Sequence, residues 1–312
     1  MSGQSILVVG AGGFVGSHIA RALVAAGHRV TSFGMPMDVD LMPDLAGRIR
    51  TVTGSAEVPG EIEAAFDVAA PDVVIWSAGY NANAAGLAAT GEAEPHRSLA
   101  VNAVGLFNVL EVARRRHVKR ALVTGSLVAF GPASMYPPQP IDEAAEPHPT
   151  TGYGLSKALG EQVAQYFIDR YGMEVATFRL SVVFGPGRWY GGVVAALNRL
   201  LAEAAPGRRE AIQVPAEPFD LVHVKDVATG LRLAVDCIKP LARLYHLNSF
   251  TTTYAELVRA IEQQVPGFEV ACTTVPAPIV FPLMNFDRIR RELGYAPAFD
   301  VGAAIADCLA SR

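Results

Sequence analysis

A glycine-rich turn stands between a short aliphatic run and a helical pattern at the start of the chain. The aliphatic run covers residues 6–9, and the turn, Gly10-Ala-Gly-Gly13-Phe-Val-Gly16, leads into a helix predicted for residues 15–26. Strand–turn–helix units of this kind build a parallel sheet that carries helices on its two faces. The first residues therefore predict the opening βα unit of a doubly wound α/β domain.

The same alternation continues to about residue 180. Apolar runs predict strands at residues 30–33, 49–52, 72–76, 121–124 and 175–183, and helical patterns cover residues 61–69, 95–117 and 151–171. Farther along, where proline and glycine are frequent, short strands are predicted at 221–224 and 244–247, and short helices at 254–264 and 287–293. We predict a Rossmann-type doubly wound sheet with a smaller, partly interleaved C-terminal lobe.

The pattern also predicts how the chain divides. Residues 1–180, with about 221–248, are expected to form a dinucleotide-binding domain, and residues 181–220 and 249–312 a substrate-binding lobe. The chain has 312 residues, of which 51% are hydrophobic and 18% charged, and this composition is sufficient for a large core.

Charge and cysteine content exclude several classes of protein. The chain has 26 basic and 30 acidic residues, so it has no basic surplus for nucleic acid. It has no apolar run long enough to span a membrane and starts without a signal-peptide pattern. Three scattered cysteines predict a reducing, cytoplasmic setting, and the histidines form no metal-ligand cluster.

The three-residue spacing of the glycines in the first turn predicts a dinucleotide site. Gly10 permits the tight turn, Gly13 lets a pyrophosphate approach the backbone, and Gly16 lets the helix pack against the strand. The backbone N–H groups at Phe14 and Val15 then face the ligand at the helix N-terminus. An ordinary glycine turn is the alternative interpretation.

The choice between NAD and NADP stays open in the sequence. An acidic residue at the end of the second strand usually binds the ribose hydroxyls, but that position falls on Phe33 or Gly34. No arginine or lysine follows directly to bind a 2′-phosphate. Asp38 or Asp40 in the following loop is the candidate substitute.

A tyrosine and a lysine four residues apart open the helix predicted at residues 151–171. Tyr153 and Lys157 share one face of that helix, so the phenol and the ammonium reach one cavity. A nearby ammonium and an oxidised nicotinamide both favour the phenolate, so we predict a lowered pKa for the Tyr153 phenol. Ser126 ends the fifth strand, where ligands of such sheets bind. An ordinary surface helix pair is the alternative.

With these residues in place, the chain resembles the extended branch of the short-chain dehydrogenase/reductase superfamily, the NAD-dependent epimerase/dehydratase family. The resemblance extends over nearly the whole chain and rests on seven motifs: Gly10-x-x-Gly13-x-x-Gly16, Ala78-Gly79, Asn102, Thr124-Gly-Ser126, Tyr153-x-x-x-Lys157, Phe184-Gly-Pro-Gly187 and Val222-His-Val-Lys-Asp226-Val.

This resemblance implies a cofactor, a catalytic set and an assembly. It implies NAD or NADP, with NAD favoured, held in part by Ala78 and Gly79. It implies catalysis by Ser126, Tyr153 and Lys157, with Asn102 supporting a proton relay through the helix backbone. It also implies a homodimer in which the helices at 95–117 and 151–171 pair across the interface.

Two departures from the family bear on the substrate. Members that act on nucleotide sugars often have an asparagine three residues after the arginine of the sixth strand, but Val182 stands there after Arg179. They often have an arginine before the aspartate that precedes the His-Val segment, but Phe219 stands before Asp220. Groups that hold a diphosphate are therefore missing.

Other residues replace them as candidate substrate contacts. Arg188 is predicted to bind an anionic substrate, with Trp189 and Tyr190 closing over it, and Asn81 lies in a loop after the fourth strand. A solvated loop cation and ordinary loop polarity are the alternatives.

We therefore predict an NAD(P)-dependent oxidoreductase that acts on a secondary alcohol or ketone of a small substrate, with a sugar-acid-like molecule as the example. A sugar or nucleotide-sugar epimerase or dehydratase is the alternative reaction. A non-catalytic dinucleotide sensor on the same fold is a third interpretation, against which the intact Ser126, Tyr153 and Lys157 argue.

Overall fold

A central parallel sheet organises the computed structural model, which describes residues 3–312; Met1 and Ser2, at the start of the predicted first domain, lie outside the described residues. The strands are β1 (Ser5–Val9), β2 (Arg29–Gly34), β3 (Arg50–Thr53), β4 (Val73–Trp76), β5 (Arg120–Ser126), β6 (Val175–Leu180), β7 (Val182–Phe184), β8 (Arg209–Val214), β9 (Phe219–His223), β10 (Leu244–Leu247), β11 (Phe250–Thr252) and β12 (Glu269–Thr274). Seven of them pair, all parallel, in the order β10-β6-β5-β4-β1-β2-β3. The predicted Rossmann-type α/β fold is confirmed.

Helices connect these strands and cover the sheet. They are α1 (Phe14–Ala25), α2 (Pro59–Ala69), α3 (Leu87–Ala93), α4 (Pro95–Leu99), α5 (Leu106–Arg115), α6 (Gly152–Tyr171), α7 (Ala195–Glu203), α8 (Val224–Asp236), α9 (Tyr254–Gln264), α10 (Asp287–Leu293) and α11 (Val301–Ala310). The helix predicted at residues 95–117 is α4 and α5 joined by a π-helical turn, Ala100–Gly105. Two predicted short helices, α9 and α10, have the predicted bounds.

The sheet has a core on each face, as the nearly continuous aliphatic strands require. Ile6 and Val8 of β1 point toward α1 and α8 and join one buried cluster. Leu7 and Val9 point toward α2, α5 and α6 and join the other. The alternation follows from the two-residue period of a strand. Helices cover both faces of the sheet, so ligands reach it at the carboxyl ends of its strands.

The sequence predicted one strand at residues 175–183, but the structure has two strands there. Strand β6 stops at Leu180, and Val182–Phe184 forms β7, which pairs with β9 in a second sheet of order β11-β9-β7. At the break, Ser181 donates its N–H to the carbonyl of Leu247 at 3.1 Å and its hydroxyl to Oδ1 of Asn248 at 2.9 Å. The first bond extends the parallel ladder of β6 with β10 by one residue, and the chain then leaves the central sheet at Val182 to pair with β9.

A smaller core lies in the C-terminal part of the chain. Leu197, Leu257 and Ile305 bring α7, α9 and α11 together beside the small sheet, and β8 and β12 pair separately. The predicted division into a dinucleotide-binding domain and a substrate lobe stays a prediction. Within it, β10 adjoins β6 in the central sheet, whereas β9 lies in the small sheet.

No helix formed by residues 3–312 combines the length and the apolar character that crossing a membrane requires.

Candidate active site

A cavity of about 990 Å³ opens at the carboxyl ends of β1, β4 and β5. The strand order reverses between β1 and β4, and this reversal is where open α/β sheets bind their ligands. The cavity is lined by most of the predicted site residues: Gly10, Gly13, Phe14, Val15, Ala78, Gly79, Asn81, Ser126, Tyr153, Lys157 and Arg188. Gly16 and Asn102 lie outside this lining.

The glycine turn is a place of close backbone packing that side chains would prevent. Gly10 has φ +83° and donates its N–H to the carbonyl of Phe33 at 2.7 Å. A Cβ on Gly10 would lie 2.6 Å from the nitrogen of Ala78, and a Cβ on Gly16 would overlap the carbonyl oxygen of Gly10. The sequence thus needs glycine at both positions, one for the turn and one for the approach of α1.

The first turn of α1 points free N–H groups at the cavity. Gly13 is the N-cap residue and has no side chain to accept them, while its carbonyl accepts the N–H of Ser17 at 2.9 Å. Phe14 and Val15 of this turn line the cavity. An uncapped N-terminus carries a partial positive charge, so this end of α1 suits an anionic group.

Helix α6 brings Tyr153 and Lys157 to the same cavity. The helix begins after Thr151, whose hydroxyl accepts the N–H of Gly154 at 3.0 Å. Lys157 donates from Nζ to the carbonyl of Thr124 at 3.0 Å, and the same Nζ lies 5.8 Å from the centre of the Tyr153 ring. The one-face arrangement expected from the spacing is present, and each side chain is only 8% exposed.

Burial dominates the ionisation of this pair. It raises the pKa of the Tyr153 phenol above its ordinary value, an effect that nearby Tyr190 reinforces and that Ser126 and Arg188 oppose. Burial also lowers the pKa of Lys157 to about 8, and Glu161 opposes that shift. The expected lowering of the Tyr153 pKa is therefore wrong for the protein alone, because the loss of water around a phenolate outweighs the neighbouring charges.

Ser126 and Asn102 occupy different positions. Ser126 ends β5 in the cavity lining, and its hydroxyl accepts the N–H of Val128 at 3.4 Å. The Asn102 amide accepts the N–H of Tyr80 at 3.0 Å and donates to the hydroxyls of Ser156 at 2.9 Å and Ser98 at 3.3 Å. Its side chain thus ties the loop after β4 to α6 rather than facing the large cavity.

A second, water-sized cavity of about 10 Å³ lies behind Lys157. Asn102, Lys157, Glu161 and Thr124 are among its lining residues. Asn102 and Lys157 thus face a shared space in this small cavity. A proton relay through this part of the helix stays a prediction.

Arg188 enters the cavity from the segment after β7. Its guanidinium donates to the carbonyls of Val183 at 2.9 Å and Gly191 at 3.0 Å and lies 4.2 Å above the Tyr190 ring. Burial lowers its pKa, and its Nε is buried without a hydrogen-bond partner. Among residues 3–312 no carboxylate pairs with it, so it differs from an ordinary solvated loop cation.

The other predicted contacts separate into two groups. Asn81 lines the cavity, but its Oδ1 already accepts the N–H of Gly86 at 2.9 Å. Asp38 lines the cavity beside Gly34, whereas the Asp40 carboxylate accepts the N–H of Met42 at 2.8 Å and stays outside the lining. Of the two candidate acidic residues, the geometry therefore favours Asp38.

Ser77 is a site residue that the sequence reasoning missed. It follows β4, lines the cavity and has a buried hydroxyl oxygen without a hydrogen-bond partner in the described residues. Its signal was its position, since a small polar residue at the carboxyl end of a buried parallel strand points to the ligand edge. Within residues 3–312, no three histidine, cysteine or carboxylate side chains are grouped as metal ligands.

Comparison with known proteins places this site in a family. The model of the NAD-dependent epimerase/dehydratase family matches residues 6–243, and the chain belongs to that family. A curated relative, the mitochondrial L-threonine 3-dehydrogenase of Sus scrofa, is 30% identical over 249 residues, which cover 76% of this chain and 64% of the relative. The chain thus spans less than two thirds of that relative's length.

Solved structures show the same fold. UDP-glucose 4-epimerase of Thermotoga maritima, solved with UDP-glucose, superposes with a TM-score of 0.84 at 23% identity over 98% of this chain and 97% of that one. A GalE-like L-threonine dehydrogenase from Cupriavidus necator superposes with a TM-score of 0.83 at 24% identity over 98% and 99% of the two chains. At 23% and 24% identity, these two likenesses show that the whole chain has this fold.

The residues around the cavity fit the dinucleotide that gives the family its name. The N-terminus of α1 faces the cavity without a capping side chain, and Gly10 and Gly16 let the backbone around the turn pack so closely that a Cβ would meet backbone atoms. Ser77 and Arg188 also present buried polar atoms without partners. Such groups are costly to bury unless a ligand or water satisfies them.

Proposed function

We propose that this protein is an NAD-dependent oxidoreductase that interconverts a secondary alcohol and the corresponding ketone. Its substrate would be a small molecule that carries a carboxylate. One observation carries the proposal: Ser126, Tyr153 and Lys157 line the same cavity as the glycine turn. An acid–base group, a hydroxyl donor and a dinucleotide cradle at one place are the requirements of this reaction.

The chain's own groups would hold the cofactor at three points. The N–H groups of Phe14 and Val15 would receive the pyrophosphate at the start of α1, and Ala78 and Gly79 would line the central part of the dinucleotide site. Asp38 accepts from the ribose hydroxyls, and its charge disfavours a 2′-phosphate, so NAD is favoured over NADP. When bound, NAD takes a hydride from the substrate carbon or returns one.

Proton handling falls to three side chains. Ser126 donates a hydrogen bond to the substrate oxygen and orients it toward Tyr153. The Tyr153 oxygen takes the alcohol proton during oxidation and gives it back during reduction. Lys157, held by the Thr124 carbonyl, provides the positive charge that counters the effect of burial on the phenol, and oxidised nicotinamide adds to it.

Arg188 supports an anionic substrate. A half-buried guanidinium that lacks a carboxylate partner binds a carboxylate with charge-assisted hydrogen bonds. Arg188 and Tyr153 line the same cavity, so one small molecule would present its carboxylate to the first and its alcohol to the second. Hydroxy acids, sugar acids and β-hydroxy amino acids have this form, and the likeness to L-threonine dehydrogenases makes L-threonine the first compound to test.

A second candidate function is epimerisation of a sugar or nucleotide sugar. The likeness to a UDP-glucose 4-epimerase over nearly the whole chain favours it. Val182 and Phe219, which stand where many nucleotide-sugar enzymes have polar groups, argue against a diphosphate substrate. An epimerase retains its cofactor through the cycle, whereas a dehydrogenase produces NADH in proportion to product.

The test is a substrate panel followed at the absorbance of reduced nicotinamide. It should include L-threonine, hydroxy acids, sugar acids, the corresponding uncharged alcohols and nucleotide sugars, each with NAD and with NADP. We expect stoichiometric NADH from at least one acid and none from its uncharged counterpart. Turnover of a nucleotide sugar without net NADH would instead establish the epimerase.

We also propose a homodimer. Apolar side chains are exposed on the adjoining helices that the family resemblance places at the interface: Val104, Phe107, Leu155, Leu159 and Tyr166. Pairing of these faces would remove a contiguous apolar surface from water. Sedimentation of the wild type and of Phe107→Arg tests this, with a dimer expected for the first and a monomer for the second.

A further inference from the structure

The segment that carries Arg188 lies against the helix that begins the dinucleotide site. We call this segment, residues 185–191, the arginine loop. Nε2 of His18, on α1, donates to the carbonyl of Pro186 at 3.0 Å. One turn earlier, the ring of Phe14 meets the ring of Tyr190 edge to face, with centroids 6.2 Å apart.

His18 is a donor to the loop and is not part of the cavity lining. It is 9% exposed and packs edge to face on Phe14, with ring centroids 5.9 Å apart. A carbonyl oxygen only accepts, so the hydrogen of this bond is on Nε2 of the imidazole. His18 therefore has a defined contact to the loop and none to the space where substrate and dinucleotide would lie.

The arginine loop has few other means of staying in place. Gly185 and Gly187 have φ of +140° and +86°, conformations that glycine adopts and other residues rarely do. The bonds from Arg188 to Val183 and Gly191 join the two ends of the loop and fix its shape. They do not attach it to the rest of the molecule. Gly191 donates its N–H to the carbonyl of Ala84, in the loop after β4, at 3.0 Å and anchors one end, and the contacts to α1 anchor the other end near Pro186.

We propose that His18 is a positioning residue for Arg188 and thereby sets the affinity for the anionic group of the substrate. It does so through the Pro186 carbonyl, from outside the cavity. The inference rests on the proposed function, because it requires Arg188 to bind a carboxylate. Helix α1 would then serve both sides of the site, because its first turn faces the dinucleotide and its second turn holds the arginine loop.

The experiment measures binding of glycerate, and of glycerol as the uncharged counterpart, to the enzyme–NADH complex by calorimetry. The variants are His18→Ala, His18→Gln, Arg188→Ala and the double variant His18→Ala/Arg188→Ala. We expect His18→Ala to weaken glycerate binding about 5- to 10-fold, the scale of one neutral hydrogen bond, with NADH and glycerol affinity unchanged. His18→Gln, whose amide nitrogen can replace Nε2, should restore most of the affinity.

A double-mutant cycle separates positioning from a general structural effect. If His18 acts through Arg188, His18→Ala has no further effect on glycerate binding once Arg188 is alanine. Acrylamide quenching of Trp189, which lies in the loop, should increase in His18→Ala, while buried Trp76, at 2% exposure, supplies a constant background. Increased quenching with restored values in His18→Gln would support the proposal.

Two kinds of failure are distinguishable. Wild-type protein that binds glycerate no better than glycerol, or that is unaffected by Arg188→Ala, overturns the carboxylate site of the proposed function. A normal response to Arg188→Ala together with unchanged glycerate binding in His18→Ala overturns the role of His18 alone. Equal weakening of glycerate, glycerol and NADH in His18→Ala also overturns it, since that result reports a damaged fold.

Discussion

The two sides of the cavity are built in different ways. The dinucleotide side consists of β1, the glycine turn and α1, where each residue has its place because a regular strand and a regular helix meet. The Arg188 side consists of an irregular segment between β7 and α7 that is held by a few side-chain contacts. Regular elements thus fix the cofactor side, and individual contacts fix the substrate side.

This contrast explains how one family serves several reactions. A turn that must leave room for a pyrophosphate tolerates few residues, because a Cβ at Gly10 or Gly16 meets backbone. In the loop at residues 185–191 the glycines are constrained in a similar way, whereas Arg188, Trp189 and Tyr190 direct side chains to the cavity lining. Binding specificity can therefore change there while the chemistry at Tyr153 stays the same.

Tyr153→Phe tests the junction between the two sides and should have the largest effect. Removal of the phenol oxygen eliminates the proton acceptor, so kcat should fall about 1,000-fold while NAD affinity stays within error. Steady-state kinetics and a cofactor titration of the same preparation check this. Retained turnover would exclude Tyr153 as the acid–base group.

Gly13→Asp tests the dinucleotide side alone. A carboxylate at the N-terminus of α1 repels the pyrophosphate, and like-charge contacts of this kind cost several kcal/mol, so NAD should bind about 100-fold more weakly. Calorimetric titration with NAD measures it. Gly13→Asn is the matched control, since it adds nearly the same bulk without charge, and equal losses in the two variants would assign the effect to bulk.

Arg188→Ala tests the substrate side alone. Loss of charge-assisted hydrogen bonds should raise KM for an acid substrate about 30-fold, leave KM for an uncharged alcohol unchanged and leave NAD affinity unchanged. Steady-state kinetics with matched acids and alcohols measure both KM values, and a cofactor titration measures the NAD affinity. If NAD affinity fell in parallel, the two sides would not be separable as described.

Asp38→Ala sharpens the cofactor side and should have a small effect. Without this carboxylate, discrimination between NAD and NADP should fall about 5-fold, because an exposed charge is screened by solvent. The ratio of the two dissociation constants gives the result. Asp40→Ala is the control, since Asp40 lies outside the cavity lining, and an equal shift there would remove Asp38 from its proposed role.

The buried ammonium of Lys157 gives a pH-dependent stability. Its pKa is about 8 in the folded protein and 10.5 by its ordinary value, so between these pH values the unfolded chain binds more protons and stability rises with pH. Lys157→Met has no ammonium to bury, so its stability lacks this pH-dependent cost. Its advantage in unfolding free energy over the wild type should therefore shrink from pH 7 to pH 10 in denaturant titrations, and an advantage independent of pH would contradict burial as the cause.

Periodic and local features of the sequence predicted the central fold and most of the cavity lining. The glycine turn, the Tyr153–Lys157 pair and Ser126 each lie within or at the end of one element. Their spacing in the sequence therefore determines how these residues are arranged in space. The change of sheet at Ser181 was missed because it depends on pairing with β9 and β10, strands that lie much later in the chain. The pKa of Tyr153 was mispredicted for a related reason: burial by distant residues is invisible in a four-residue spacing.

The change of sheet at Ser181 has a further consequence. Tyr153 is fixed to the central sheet through α6, whereas Arg188 follows a strand of the small sheet. The span between proton acceptor and cation thus depends on the placement of the small sheet as well as on the contacts that tie residues 185–191 to α1. A shift of the small sheet and this segment together would adapt the protein to a longer or shorter acid, with no substitution at any atom that takes part in the chemistry.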